Sequence, residues 1–326
     1  MPVDSLRKTV PFIPAAAAFV FLICFGERAA AAAQIGINAC LKSVIPSLFP
    51  FLVLTNMILR FEIPKPLLSS LGVVFERIFR IRRTALPAML SGFVGGYPLG
   101  AEAAAACYRQ GKCSKEEAER LLVFSNNCSP GFVFGVAAGS LPGSARTALL
   151  LIILQWAISV LFGVLLGAGH QPSKAENADD ELASLPLSSA FTAAVRAGAR
   201  SVLMICAYVI FFSVFSAFLP ESALIRGIVE LTGGLLLLRG PQAPLIAAFL
   251  IGWGGLSVAF QVFSALEDTG ISAVGYLPLR FLHGAAMALC VLLYQWGIEY
   301  LLIFCLVLVA AVFFVKTGRK GTVSEI

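Results

Sequence analysis

The chain has 326 residues, of which 59% are hydrophobic and 13% charged, with a mean hydropathy of +0.89; a soluble domain carries roughly 45–50% apolar and about 25% charged residues. That balance excludes a soluble globular protein and a disordered chain. The net charge of +6 is spread between apolar blocks and forms no single basic face, so the expected partner is the lipid bilayer and not nucleic acid.

A helix needs about 20 mostly apolar residues to cross a bilayer, and the alternating ten-residue segments of a β-barrel are absent. The expected class is therefore an all-α polytopic membrane protein. In chain order the apolar blocks run Val10–Gly26, Val44–Leu59, Thr84–Cys107, Leu121–Leu141, Thr147–Gly167, Val202–Leu219, Pro241–Leu266, Gly275–Trp296 and Ile298–Val315. No small-residue cleavage site follows the first block, so residues 1–30 read as a retained N-terminal transmembrane segment. Glu176, Asp179, Asp180 and Glu181 mark a hydrophilic linker, 169–190, between halves at 31–168 and 191–316, and a basic tail follows at 317–326. Eight single cysteines and two histidines form neither a disulfide framework nor a zinc site, and no metal or cofactor is expected.

The halves repeat each other. Lys42-Ser43-Val44 has a counterpart in Arg200-Ser201-Val202, Gly92-x-x-Gly95-Gly96 in Gly252-x-Gly254-Gly255, and Arg120-x-Leu122 in Arg280-x-Leu282, at a spacing close to 160 residues. Thr84–Cys107 and Pro241–Leu266 are each broken by glycines into arms too short to cross alone. A continuous helix that packs through its glycines is one reading; a re-entrant hairpin is the other. Basic residues favour the hairpin without closing the question. Arg60, Lys65, Arg77, Arg80, Arg82 and Arg83 precede the first block and Arg109, Lys112, Lys115 and Arg120 follow it, so entering and returning keeps both flanks in the cytoplasm. The expected architecture is an inverted repeat of about seven spans and two re-entrant hairpins, with broken transmembrane helices. A cytoplasmic N-terminus puts most Lys and Arg inside, although Lys316, Arg319 and Lys320 then fall outside.

Several strings carry a resemblance: Ser91-Gly-Phe-Val-Gly-Gly-Tyr-Pro-Leu-Gly-Ala101, Tyr108-Arg-Gln-Gly-Lys112, Ser114-Lys-Glu-Glu-Ala-Glu-Arg-Leu-Leu122, Ser125-Asn-Asn-Cys-Ser-Pro-Gly131 and Tyr276-Leu-Pro-Leu-Arg-Phe-Leu-His283. With them the chain resembles the sporulation integral membrane protein family whose members carry nucleoside-recognition Gate domains, similar in fold to concentrative nucleoside transporters. The resemblance implies transport of a small organic anion in an endospore former. For this branch it implies dipicolinic acid, moved from mother cell to forespore across the outer forespore membrane; the sequence leaves open whether Na+ or H+ is coupled, with Glu102 as the residue that would take it, and whether the chain forms a homo-oligomer. A nucleoside cargo and a membrane scaffold without cargo are the competing functions. An enzyme is not expected, because no phosphate-binding loop, H-E-x-x-H pair or nucleophile–base pair is present.

The candidate substrate-binding residues follow from polarity inside apolar blocks. Gly95, Gly96, Tyr97 and Pro98 would form the first hairpin tip, where glycine backbone freedom and a missing amide donor leave polar backbone free for a ligand; a packing kink is the alternative. Ser125, Asn126, Asn127 and Ser129, with Pro130 and Gly131, would unwind a span and expose half-helix ends, unless the run is a loop before a span beginning at Phe132. Glu102 is the ion-coupling candidate, with an interfacial position as the alternative. Ser257 and Gln261 follow the second glycine break. Arg280 can hold a carboxylate through two parallel hydrogen bonds, or else form a structural pair with Glu102, Glu267 or Asp268. His283, three residues on, reads as a packing histidine, and Ser114-x-x-Glu117 as a helix-capping box.

Overall fold

The computed structural model describes residues 12–58, 65–141, 143–173 and 186–297. The expected ninth block, the tail 317–326, the acidic centre of the linker (174–185), Arg7, Lys8, Arg60 and Pro142 lie outside the described residues. All regular structure among those described is helical. Six helical segments are long and apolar enough to cross a membrane: Gly26–Met57, Lys115–Ser140, Ala145–Gly167, Leu187–Ser216, Ala243–Ala265 and Tyr276–Gln295. The molecule is an integral membrane protein of several helical spans.

The first block differs from expectation. Helix α1 (Phe12–Cys24) has 13 residues, and after Phe25 a new helix begins: α2 (Gly26–Ala39) runs through a π turn, Cys40–Val44, into α3 (Ile45–Ile58). The boundary expected at residue 30 thus falls inside α2. The alanine run after Arg28 has weak hydropathy but the strongest helix propensity, and packing recruits it: a Cβ on Gly36 would stand 3.0 Å from the Ile210 backbone.

Helix α4 (Lys65–Phe79) leads to the short pair α5 (Leu86–Val94) and α6 (Leu99–Arg109), whose arms pack on each other and on α7 (Lys115–Ser125). Ser114 and Glu117 form the expected capping box at the start of α7. Glu117 also accepts from Arg82 N (3.0 Å) and Ser173 Oγ (2.6 Å), tying three chain segments together at this end. Helix α7 stops at Ser125, residues 126–129 are non-helical, and helix resumes at Pro130. Helix α8 (Ser144–Gly167) completes the first half.

In the second half come α9 (Leu187–Ser216), α10 (Ala223–Val229), α11 (Leu231–Leu236), α12 (Ala243–Trp253), α13 (Gly255–Ala265) and α14 (Tyr276–Gln295). This order repeats the first half from α2 to α7, and counterparts touch: α9 packs on α2 and α3, α13 on α6, and α14 on α7. Gly254 and Gly255 join α12 to α13 with φ of 89° and 83°, a left-handed bend that side chains resist. Unlike α5 and α6, these two arms take different main partners, α12 packing on α14 and α13 on α9. The glycines on both sides serve close packing as well. A Cβ on Gly92 would stand 2.0 Å from the Ser125 carbonyl, and one on Gly252 would stand 2.5 Å from Gly284 Cα.

Candidate solute site

Three elements converge at the centre. The turn between α5 and α6 carries Tyr97, with a cis bond to Pro98; the break after α7 carries Asn126 and Asn127; and α14 presents Tyr276, Arg280 and His283, whose spacing of four and three places them on one helix face. All six side chains are buried, Arg280 completely.

Arg280 Nη2 donates to Tyr97 Oη, and Tyr97 in turn donates to the Ile251 carbonyl at 3.0 Å, so the first tip is fastened to α12 and α14 together. Arg280 Nη1 lies 3.5 Å from Asn127 Oδ1, which also accepts from Ser159 Oγ at 2.8 Å. Ser159 Oγ stands 3.1 Å from His283 Nε2. With the hydroxyl hydrogen directed at Asn127, the imidazole proton belongs on Nε2. Asn126 Nδ2 donates to Tyr276 Oη at 2.8 Å. Gln155 braces the break itself, accepting from Cys128 N (3.1 Å) and donating to Cys128 O (2.8 Å), two backbone groups that lost their helical partners where the helix stopped.

The network leaves polar atoms over. Arg280 Nε, Asn126 Oδ1, Ser125 Oγ and His283 Nδ1 are buried without a hydrogen-bond partner among the described residues. Glu102, Glu267 and Asp268 do not pair with Arg280; the ion pair found among the described residues is Arg82–Glu117 at 3.4 Å, far along the chain. A buried guanidinium without a carboxylate is expensive, because its lost hydration is replaced by neutral acceptors only.

Two cavities flank this network. A wide vestibule of about 990 Å³ has Arg109, Arg196, Arg200, Glu102, Pro98 and Gln261 on its wall. A small cavity of about 30 Å³ is lined from both halves, by Tyr97 and Ser129 of the first and Glu230, Thr232, Ser257 and Gln261 of the second. Gln261 contributes to both walls. Arg280 lines neither; it stands behind Tyr97.

The sequence candidates therefore separate into three places. Tyr97, Asn126, Asn127 and Arg280 meet in the central network; Ser129, Ser257 and Gln261 surround the small cavity; Glu102 stands half-buried on the vestibule wall. Gly95 and Gly96 bring the tip close in: a Cβ on Gly96 would lie 2.5 Å from Ser129 N. Ser129 Oγ accepts from Phe132 N at 3.1 Å and caps the resumed helix. Sequence reasoning missed Gln155, Ser159 and Glu230, each almost completely buried. Gln155 and Ser159 could have been found as two polar residues four apart, on one face of an apolar block.

The chain is 25% identical to the sporulation integral membrane protein YlbJ of Bacillus subtilis over 311 residues, covering 80% of this chain and 76% of that protein. The two are distant homologues. No family model and no solved structure matches the chain.

Proposed function

We propose that this protein is a membrane transporter for a small organic anion, moved without chemical change, in an endospore-forming bacterium. The observation that carries the reading is Arg280: a completely buried guanidinium held by Tyr97 and Asn127, with no carboxylate beside it among the described residues. An anionic solute supplies the missing counter-charge, and a guanidinium can receive a carboxylate in two parallel hydrogen bonds. The vestibule supports the same sign of cargo, since three arginines and one glutamate face it. Dipicolinate, a dicarboxylate, is the cargo the resemblance of the sequence motifs suggests, with the outer forespore membrane as the place of transport, and distant homology to a sporulation integral membrane protein supports a role in sporulation.

The recurring element order, the contacts between counterparts and the matched glycine approaches support an inverted repeat; the α5–α6 pair, whose arms pack on each other, fits a re-entrant hairpin, whereas its counterpart α12–α13, whose arms part at Gly254, fits a bent span. Solute collects in the vestibule and reaches Arg280 only when the Tyr97 tip withdraws, because a cavity of about 30 Å³ holds little more than a water molecule. The anion then replaces Tyr97 Oη and Asn127 Oδ1 on the guanidinium. Movement of one half against the other exposes the site to the opposite side.

Uptake by proteoliposomes containing the purified full-length chain tests this, with dipicolinate, uridine and protein-free liposomes compared. Dipicolinate uptake with none for uridine is the expected result. Uptake of uridine alone would replace the cargo with a nucleoside, and uptake of neither would favour a scaffold.

A further inference from the structure

Glu230 is the second buried charge at the centre, and the solute site does not use it. It is 1% exposed, at the bend between α10 and α11. Its carboxylate caps α11, Oε1 accepting from Thr232 N at 2.9 Å and Oε2 from Gly233 N at 2.5 Å. Those bonds explain how the carboxylate is held; they supply no positive charge of a full unit and occupy only part of its accepting capacity. The rest of it faces the small cavity, which no Lys, Arg or His lines.

Opposite stand two side chains with nothing to do. Ser257 is 1% and Gln261 5% exposed, both line this cavity, and neither makes a side-chain hydrogen bond among the described residues. Their polar groups are left free for a ligand in the space they line. A hydroxyl, an amide carbonyl and a carboxylate on the wall of one small cavity offer an all-oxygen donor set, the kind that hard cations take. One carboxylate balances one positive charge, so the ion is monovalent; about 30 Å³ fits one small ion.

We infer that Na+ binds in this cavity against Glu230, with Ser257 Oγ and Gln261 Oε1 as its other side-chain ligands. Because the lining comes from both halves, with Tyr97 and Ser129 on the first and Glu230, Ser257 and Gln261 on the second, the ion ties the halves together in the closed form. Its place as the coupling ion rests on the transporter reading, whereas its binding does not. Glu102, on the open vestibule wall, is not a ligand in this arrangement.

Binding is read without transport, from thermal unfolding of the full-length chain in detergent, in NaCl, KCl and N-methyl-D-glucamine chloride of equal ionic strength. A ligand that binds only the folded form raises the melting temperature in a saturable way. Na+ should do so and K+ should not, and Glu230→Gln should abolish the difference. If Glu230→Gln does not fold, Ser257→Ala and Gln261→Leu keep the cap on α11 and should each shift the Na+ midpoint at least tenfold higher. Equal melting in all three salts, or an unchanged Na+ midpoint in Ser257→Ala and Gln261→Leu, overturns the site. Na+ stabilisation without dipicolinate uptake would keep the cation site and remove the transporter reading; uptake without Na+ stabilisation would do the reverse.

Discussion

At the scale of single residues, the centre is governed by how Arg280 is satisfied. Charge-assisted hydrogen bonds contribute about 1.5–3 kcal/mol each, so Arg280→Gln should lower dipicolinate uptake on the order of ten- to a hundredfold, while a neutral solute, if carried, keeps its rate. Arg280→Lys should fail to restore uptake, because an ammonium cannot reproduce the two parallel bonds of a guanidinium. Tyr97→Phe acts differently. It deletes the acceptor for Arg280 and the donor to Ile251 O, which frees the guanidinium and loosens the tip. Stability should fall by about 1–3 kcal/mol, and the KM for the anion should fall with it. Unfolding in detergent and uptake kinetics on the same preparation check both halves of that expectation.

Among the elements, the break after α7 is the feature on which the site depends. An interrupted helix in a membrane protein needs its freed backbone groups satisfied from elsewhere, and Gln155 does this for both polar groups of Cys128. Gln155→Leu leaves an N–H and a carbonyl buried and unpaired, and each should cost about 1–3 kcal/mol. The melting temperature of the variant should drop accordingly, whereas Gln155→Glu, which keeps the acceptor for Cys128 N, should lose less. The two matched glycine approaches make a parallel case. Gly92→Ala forces a Cβ to 2.0 Å from Ser125 O and Gly252→Ala to 2.5 Å from Gly284 Cα; both neighbours are backbone and cannot step aside. Each variant should lose at least about 1–3 kcal/mol, with the larger loss at Gly92, read as the folded fraction after size-exclusion chromatography.

Over the whole molecule, the field in the vestibule is set by residues distant in sequence. Arg196 and Arg200, one turn apart on α9, face Arg109 of α6 across about 990 Å³. A cleft lined with one sign of charge raises the local concentration of the opposite ion, and salt screens the effect. Arg196→Gln combined with Arg200→Gln should slow dipicolinate uptake several-fold at low ionic strength, with the deficit shrinking as salt is added. Glu102→Gln should have the opposite sign, raising uptake at low salt by removing the negative charge from the same wall. A salt series on the three proteins checks both directions, and an equal deficit at every ionic strength would show that the arginines act by contact and not through their field.

The amino-acid sequence by itself determined the membrane-embedded helical class, since nothing but lipid accommodates so many apolar residues in helical blocks. It also determined the two glycine-broken segments, the interruption at Asn126 and the capping box at Ser114, because each depends on local chemistry: which residues tolerate left-handed backbone, which cannot stay in a helix, and which side chains can reach back to a nearby amide. The length of the helix beginning at Gly26 escaped it, as that helix is completed by contacts with Ile210 and its neighbours. Only the tertiary structure decided that Arg280 pairs with Tyr97 and Asn127, that Gln155 repairs the broken helix, that Glu102 faces a vestibule, and that Glu230 lines a small cavity with Ser257 and Gln261. A buried charge is defined by what stands beside it in space, and here those neighbours lie as much as 183 residues away along the chain.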